Sequence, residues 1–320
     1  MPAKHRLIIA SAFIAMLLAA FLDLIYGGTE PVAVRDFSST HFIFFEIRLP
    51  KMITALIAGS ALAVAGQLMQ IIFKNPLAGP YVLGISSGSS LAVGVLLLAT
   101  NAVYPVSIAV AAIGGALLVT FLVLGIATRI QSNVILLIIG LMLAQIFASA
   151  ETSLEYFADP TSLKRFVLWG MGSLGNASIS DLGFYFPALV LALFSTSLLF
   201  KPMNALLLGE AYANASGVSF KTSRFKLILL SSILTGFATA LCGPISFVGL
   251  AVPVIARQLL PTAKQQWQWP MNIFLGSTVL LVSDIICHQA YQAAPLPLNM
   301  VTSLIGAPIV IWLMFKNKQW

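Results

Sequence analysis

Apolar residues run in long blocks separated by short polar stretches. A helix needs about 20 apolar residues to cross a bilayer. Ten blocks approach that length, near 7–27, 52–73, 82–99, 104–127, 133–156, 181–200, 226–242, 246–260, 271–291 and 298–315. The third and eighth are interrupted by Gly, Ser and Pro, which predicts broken helices lining protein or water rather than lipid. Ala55, Gly59 and Ala63, with Gly66 nearby, form a series of small residues at helical spacing. Gly114, Gly115 and Ala116 do the same in the fourth block. Such series let helices approach closely. The first block follows Lys4-His5-Arg6 as in a secretory signal, but its length and the lack of a convincing A-x-A site predict an uncleaved first span.

Composition agrees. Of 320 residues, 59% are hydrophobic and 8% charged, against about 25% charged in soluble domains. The expectation is an all-α, polytopic membrane bundle of about ten helices, one domain over residues 1–320. The net charge of +7 does not point to nucleic acid, because no basic run is interleaved with aromatics. With the N-terminus inside, the inner connections carry Lys4, Arg6, Lys74, Arg129, Lys201, Lys221, Arg224, Lys226, Arg257, Lys264, Lys316 and Lys318, and the outer ones Arg35, Arg48, Lys51, Lys164 and Arg165. Twelve against five predicts both termini on the cytoplasmic side. Glu30, Asp36, Glu46, Asp159 and Asp181 then fall outside.

Two connections are longer than turns. Segment 28–50 mixes aromatics with charges and is expected to lie on the outer membrane surface. Segment 201–225 is the one sizeable cytoplasmic connection. Residues 203–217 read as a short helix, with Pro202 as its first helical residue and Gly217 as its terminator.

Chemical motifs are sparse. Cys242 and Cys287 read as structural residues, and His5, His41 and His288 lie far apart without a zinc or haem pattern. There is no G-x-x-x-x-G-K-[ST] loop to cradle ATP phosphates, and no Ser/His/Asp or Cys/His pairing for hydrolysis. Asp284 lies mid-segment among Leu280, Leu281, Val282, Ile285 and Ile286. An acid there faces protein or water. It can pair with a cation, cap a broken helix or carry protons. Gln67, Gln70 and Gln145 either line a passage or bond across helices.

Four ordered strings carry a resemblance. Segment 46–85 holds Arg48-Leu49-Pro50-Lys51, then Gln70, then Asn75-Pro76-Leu77-Ala78 with Pro80, then Leu83-Gly84. Segment 204–218 reads NALLLGEAYANASGV, segment 243–257 reads GPISFVGLAVPVIAR, and Asp284 is followed by PLNMVTSLIGAP at 297–308. Together they resemble the iron-siderophore and vitamin B12 permease family of ABC importers, the FecCD family. Departures are Val254 in place of the usual histidine, Leu260-Pro261-Thr262-Ala263-Lys264-Gln265-Gln266 where a G-x-D-x-R is usual, His288 where some relatives carry an arginine, and Pro295 where a glutamate is common.

The resemblance implies a type II ABC-importer permease in the bacterial cytoplasmic membrane. Its ten helices would pair with a second permease subunit, identical or paralogous, above ABC ATPase subunits that bind ATP-Mg. No cofactor is expected on this chain. Leu208, Gly209, Glu210, Ala211 and Gly217 would form the ATPase-coupling segment, the alternative being an interfacial helix without a partner. Arg48 and Lys51, with Arg165 and Lys164 weaker candidates, would dock a periplasmic or lipid-anchored substrate-binding protein, the alternative being surface anchoring against membrane lipid. Gln67, Gln70, Asn75 and Asp284 would be translocation-path or structural polar residues. The expected cargo is a ferric siderophore, with haem or cobalamin as variants. An ion-coupled carrier using Asp284, Glu151 and Glu155 is the alternative of another class.

Overall fold

The computed structural model describes residues 3–28, 42–99, 105–127, 129–130, 132–290 and 295–316. Most of segment 28–50, with Glu30, Arg35 and Asp36, lies outside the described residues, as does Lys318. Among the described residues there are thirteen α-helices and no strand. They are α1 (Ala3–Tyr26), α2 (Leu49–Phe73), α3 (Ile85–Gly94), α4 (Pro105–Ala127), α5 (Asn133–Phe157), α6 (Pro160–Gly170) and α7 (Ile179–Ser197). The chain continues through α8 (Phe200–Leu208), α9 (Glu210–Ala215), α10 (Phe220–Cys242), α11 (Val248–Leu259), α12 (Gln265–Gln289) and α13 (Leu298–Lys316). A π-helical run Ile43–Arg48 leads into α2 and another, Val95–Ala99, extends α3.

Seven described helices are long and apolar enough to cross a membrane, and Ile85–Ala99, Val248–Leu259 and Leu298–Trp312 are shorter apolar helices. These ten match the ten blocks of the sequence. The two interrupted blocks are indeed the broken ones. A 3-10 turn, Pro80–Leu83, and left-handed Gly84 precede α3. An irregular stretch from Gly243, ending at Phe247 with φ 66°, precedes α11.

Helix α2 is the hub. Almost all of it is buried, packed on α10, α11 and α12. Lipid does not drive apolar helices together, so close van der Waals packing must do so. At Gly66 a Cβ would be driven into the Gly249 carbonyl of α11, and at Gly59 into the Gly276 carbonyl of α12. Gly115 plays this part for α4, against Gly88 of α3. Gly114, expected to help, meets nothing within 4 Å.

Irregular backbone inside a bundle needs hydrogen-bond partners. Asn299, in the first turn of α13, supplies them for two breaks at once. Its Oδ1 accepts from Ser246 N at 2.9 Å. Its Nδ2 donates to Gly170 O at 3.0 Å and Pro244 O at 2.6 Å, and its backbone N to Met171 O at 3.1 Å. The bonds tie the end of α6 and the loop before α11 to α13. Asn299→Leu is therefore expected to cost about 2–5 kcal/mol, since two carbonyls and one N–H lose their partner at about 1–3 kcal/mol each with partial relief by water. A fall in the thermal midpoint of the detergent-solubilised protein checks this.

Candidate functional site

Three places gather the polar residues that the sequence singles out. Inner and outer name the ends assigned by the charge rule.

The first is the outer end of α1, α2 and α12. Arg48 and Lys51, expected to reach outward, are instead buried, 6% and 5% exposed. The correction has a local cause. Helix α1 ends here, and its last carbonyls need donors. Arg48 Nη1 donates to Leu24 O at 2.8 Å and Ile25 O at 2.5 Å, Lys51 Nζ to Gly27 O at 2.5 Å, and Gln289 Nε2 to Tyr26 O at 2.8 Å. Cations at a helix C-terminus also meet its negative dipole end. Asp284 lies near the outer end of α12 rather than mid-span. Its Oδ2 faces Lys51 Nζ at 2.6 Å as an ion pair. His288, one turn later, approaches Lys51 Nζ at 3.2 Å and the Asp284 backbone carbonyl at 3.0 Å. Asp23 of α1, also buried, faces Asp284, Lys51 and Arg48. Of the three roles open to Asp284, the geometry displays pairing with a cation.

Beside this cluster lies a cavity of about 630 Å³. Its wall is mostly apolar, with Trp169, Met171, Tyr185 and Leu298, and Lys51, Asp284 and His288 lie on one side. Arg165 reaches it from α6 and is exposed, as is Lys164. Helix α6 was not anticipated by the apolar blocks. It is short and amphipathic, with Pro160 in its first turn and Asp159 as its N-cap. Bonds from the Ser162 hydroxyl, and then from the Ser162 and Thr161 N–H groups, hold the Asp159 carboxyl below the usual range.

The second place is the inner connection. One helix was expected over 203–217; the structure has two, α8 and α9, parted by Gly209 at φ 111°, a conformation L side chains rarely adopt. Pro202 is the third residue of α8, not the first. Gly217 does end α9: at φ 75° it donates to Asn214 O at 3.1 Å, and Val218 N to Ala213 O at 2.9 Å, the Schellman pattern. Ala205, Ala213 and Val218 pack into a small cluster that fixes α9 on α8. What remains outside includes Leu208, Glu210, Ala211, Tyr212, Asn214, Ala215 and Gly217. Leu208 and Tyr212 are 65% and 52% exposed, so the edge offers two large, largely apolar side chains beside one acid at the start of α9.

The third place is the inner end of α2 and α12. Gln67 Nε2 donates to Gln265 Oε1 at 2.6 Å, and Gln70 Nε2 to Leu250 O at 3.1 Å. These glutamines cross-link helices. Asn75 Oδ1 accepts from Leu77 N at 2.9 Å, closing the turn after α2. Gln145 sits apart, exposed on α5.

The chain matches the model of the FecCD transport family over residues 7–316. The chain belongs to the FecCD transport family. It is a permease of the ABC-importer type and a multi-pass protein of the bacterial inner membrane. The vitamin B12 import system permease protein BtuC of Vibrio vulnificus is 36% identical over 318 residues, 97% of this chain and 95% of the relative. The hemin transport system permease protein HmuU of Yersinia pestis is 34% identical over 286 residues, 87% of this chain and 84% of the relative. A solved structure of a metal-chelate type ABC transporter in an inward-facing conformation superposes with a TM-score of 0.89, covering 97% of this chain and 99% of that one at 28% identity.

Proposed function

We propose that this FecCD-family chain is the membrane-spanning subunit of an importer that moves a metal chelate inward, driven by ATP-Mg on separate ATPase subunits that dock on α8 and α9. The observation that carries the reading is the exposed edge, with Leu208 and Tyr212, on a two-helix element held rigid by its own small core. An element that must transmit force has to be fixed to the bundle and open on its far side. Both hold here. An amphipathic helix edge of this kind suits a groove in a partner.

The outer cavity and the relatives support this cargo class. A mostly apolar wall with Trp169, Tyr185 and Met171, and charged groups contributed by Lys51, Asp284, Arg165 and Asp181, suits a large chelate whose metal is already ligated. Relatives are named for vitamin B12 and for hemin, and a ferric siderophore belongs to the same chemical class. A substrate-binding protein would deliver it, with Arg165 of α6 an exposed basic contact. Arg48 and Lys51 are spent inside the chain. A second permease would cover α5, which is largely exposed and carries Gln145 on its open face. An amide facing lipid is costly, whereas one facing a passage or a partner helix is not.

The ion-coupled alternative needs a relay through Asp284, Glu151 and Glu155. Asp284 is committed to Lys51, and Glu151 accepts from Ser90 Oγ at 3.0 Å on α3. No described hydrogen bond links the two sites.

The test is Leu208→Glu and Tyr212→Ala, each on the exposed edge. Each is expected to weaken ATPase association about tenfold or more, as loss of an interface anchor does, and to lower chelate uptake while the purified permease keeps its thermal midpoint. Normal ATPase association in both variants would remove α8 and α9 as the docking element.

A further inference from the structure

A cavity of about 300 Å³ opens between the inner ends of α2, α11 and α12 and the last turn of α8. Two cations line it: Lys74, which caps α2 in the left-handed conformation, and Arg257, in the last turn of α11. Among the described residues no Asp or Glu lines it. Neither cation makes a described hydrogen bond or ion pair. Gln67, Gln70, Gln268 and Asn272 also stand around the cavity, but their side-chain oxygens are sealed from it by packing, so they offer the cations no acceptor. Two further polar residues on the wall have donors to give. Asn75 commits its Oδ1 to Leu77 N, and its Nδ2 makes no described bond. The Thr262 hydroxyl accepts from Lys264 N at 3.3 Å, with its own proton uncommitted.

A charge drawn out of water needs a counter-charge, and Arg257 is half-buried. Its guanidinium is a planar fork of donors that matches phosphate oxygens two at a time, and the Lys74 ammonium adds a point charge. The fitting ligand is an anion with several acceptor oxygens. Ile71, Pro76 and Leu207 give the same cavity an apolar side, which suits an amphiphile better than a free ion. Its position favours the same occupant. The wall is built from the inner ends of membrane helices, at the depth of the inner leaflet's headgroups, and basic pockets between helices on that side bind anionic headgroups.

We propose that this cavity is a binding site for an anionic phospholipid of the inner leaflet, its phosphate held between the Arg257 guanidinium and the Lys74 ammonium, with Asn75 and Thr262 donating from the wall. A phosphate so placed joins the end of α2 to the end of α11. Lys74 Nζ also lies 3.6 Å from where a Cβ on Gly209 would stand, so the site adjoins the joint between α8 and α9.

The experiment titrates the full-length, delipidated permease in detergent with dioleoyl phosphatidylglycerol, with zwitterionic dioleoyl phosphatidylcholine, and with inorganic phosphate. Native mass spectrometry counts retained lipid, and the thermal midpoint is followed in parallel. Phosphatidylglycerol is expected to be retained and to raise the midpoint, and the other two to do neither. Arg257→Gln is expected to weaken retention about tenfold or more, as loss of a hydrogen bond to a charged group does, and Lys74→Gln about fivefold. Arg257→Lys, a point charge without the planar fork, is expected to keep part of the affinity. Lys226→Gln removes an exposed cation outside the cavity and is expected to leave retention unchanged. Without lipid, Arg257→Gln is expected to keep the wild-type midpoint, since it strands no described partner, so its weaker retention does not come from misfolding. Equal retention of phosphatidylglycerol by wild type, Arg257→Gln and Lys74→Gln, or phosphatidylcholine held as tightly, would overturn the site. A midpoint raised by inorganic phosphate and not by phosphatidylglycerol would overturn the lipid as its occupant. Variants that lose ATPase association but retain lipid as wild type does would give the two cations to an acidic protein surface and overturn the proposal as well.

Discussion

Lys51→Met is expected to destabilise the permease by about 3–5 kcal/mol, the cost of removing one partner from a buried ion pair. The substitution is close in volume, so the effect is electrostatic. Lys51 Nζ holds Asp284 at 2.6 Å and caps Gly27 O at 2.5 Å. Without it, Asp284 and Asp23 face each other in a buried site with only Arg48 and the His288 imidazole, 3.7 Å from Asp284, close by. The decisive comparison is the double variant Lys51→Met, Asp284→Leu. Removing both charges relieves the stranded carboxylate, so the double variant is expected to recover at least half of the loss in denaturant unfolding of the solubilised protein. A double variant as unstable as the sum of the singles would show that the two side chains do not act as a pair.

Gly66→Ala is expected to be the most damaging single-methyl change in the chain. Its Cβ would enter the space of the Gly249 carbonyl, and neither backbone can yield without separating α2 from α11. Overpacking costs about 1–3 kcal/mol where side chains can shift, and more where they cannot. The control is internal. Gly114→Ala, also in a membrane helix, meets nothing within 4 Å and is expected to be neutral or stabilising by up to about 1 kcal/mol through helix propensity. Thermal midpoints of the two variants side by side make the check, and a Gly66→Ala protein as stable as Gly114→Ala would mean that α2 and α11 do not cross at their backbones.

These two results mark where sequence is informative. Transfer into lipid is a sum over residues, so the ten blocks were legible from hydropathy, and Gly and Pro marked which would break. The crossing at Gly66 was visible as a small-residue series, although sequence did not separate Gly115, which packs, from Gly114, which does not. That difference depends on which face a neighbour occupies. Helix α6 was missed because it is amphipathic and too short to span. The inward turn of Arg48 and Lys51 was missed because the demand comes from elsewhere: the unpaired carbonyls of α1, more than twenty residues upstream. Asn299 lay inside a recognised string, but its role in tying two breaks to α13 exists only once those breaks meet. Gly209 had the one usable signal, a glycine inside an otherwise helical run, and the structure shows it as the joint between α8 and α9.

The most direct test of the central claim is accumulation of radiolabelled cyanocobalamin, hemin and a panel of ferric siderophores by cells lacking this chain, with it restored, in the presence and absence of its ATPase. The account predicts that uptake of one metal chelate is lost, returns with the chain, and returns only when the ATPase is present. Restored uptake without the ATPase, or unchanged uptake of every chelate, would contradict it.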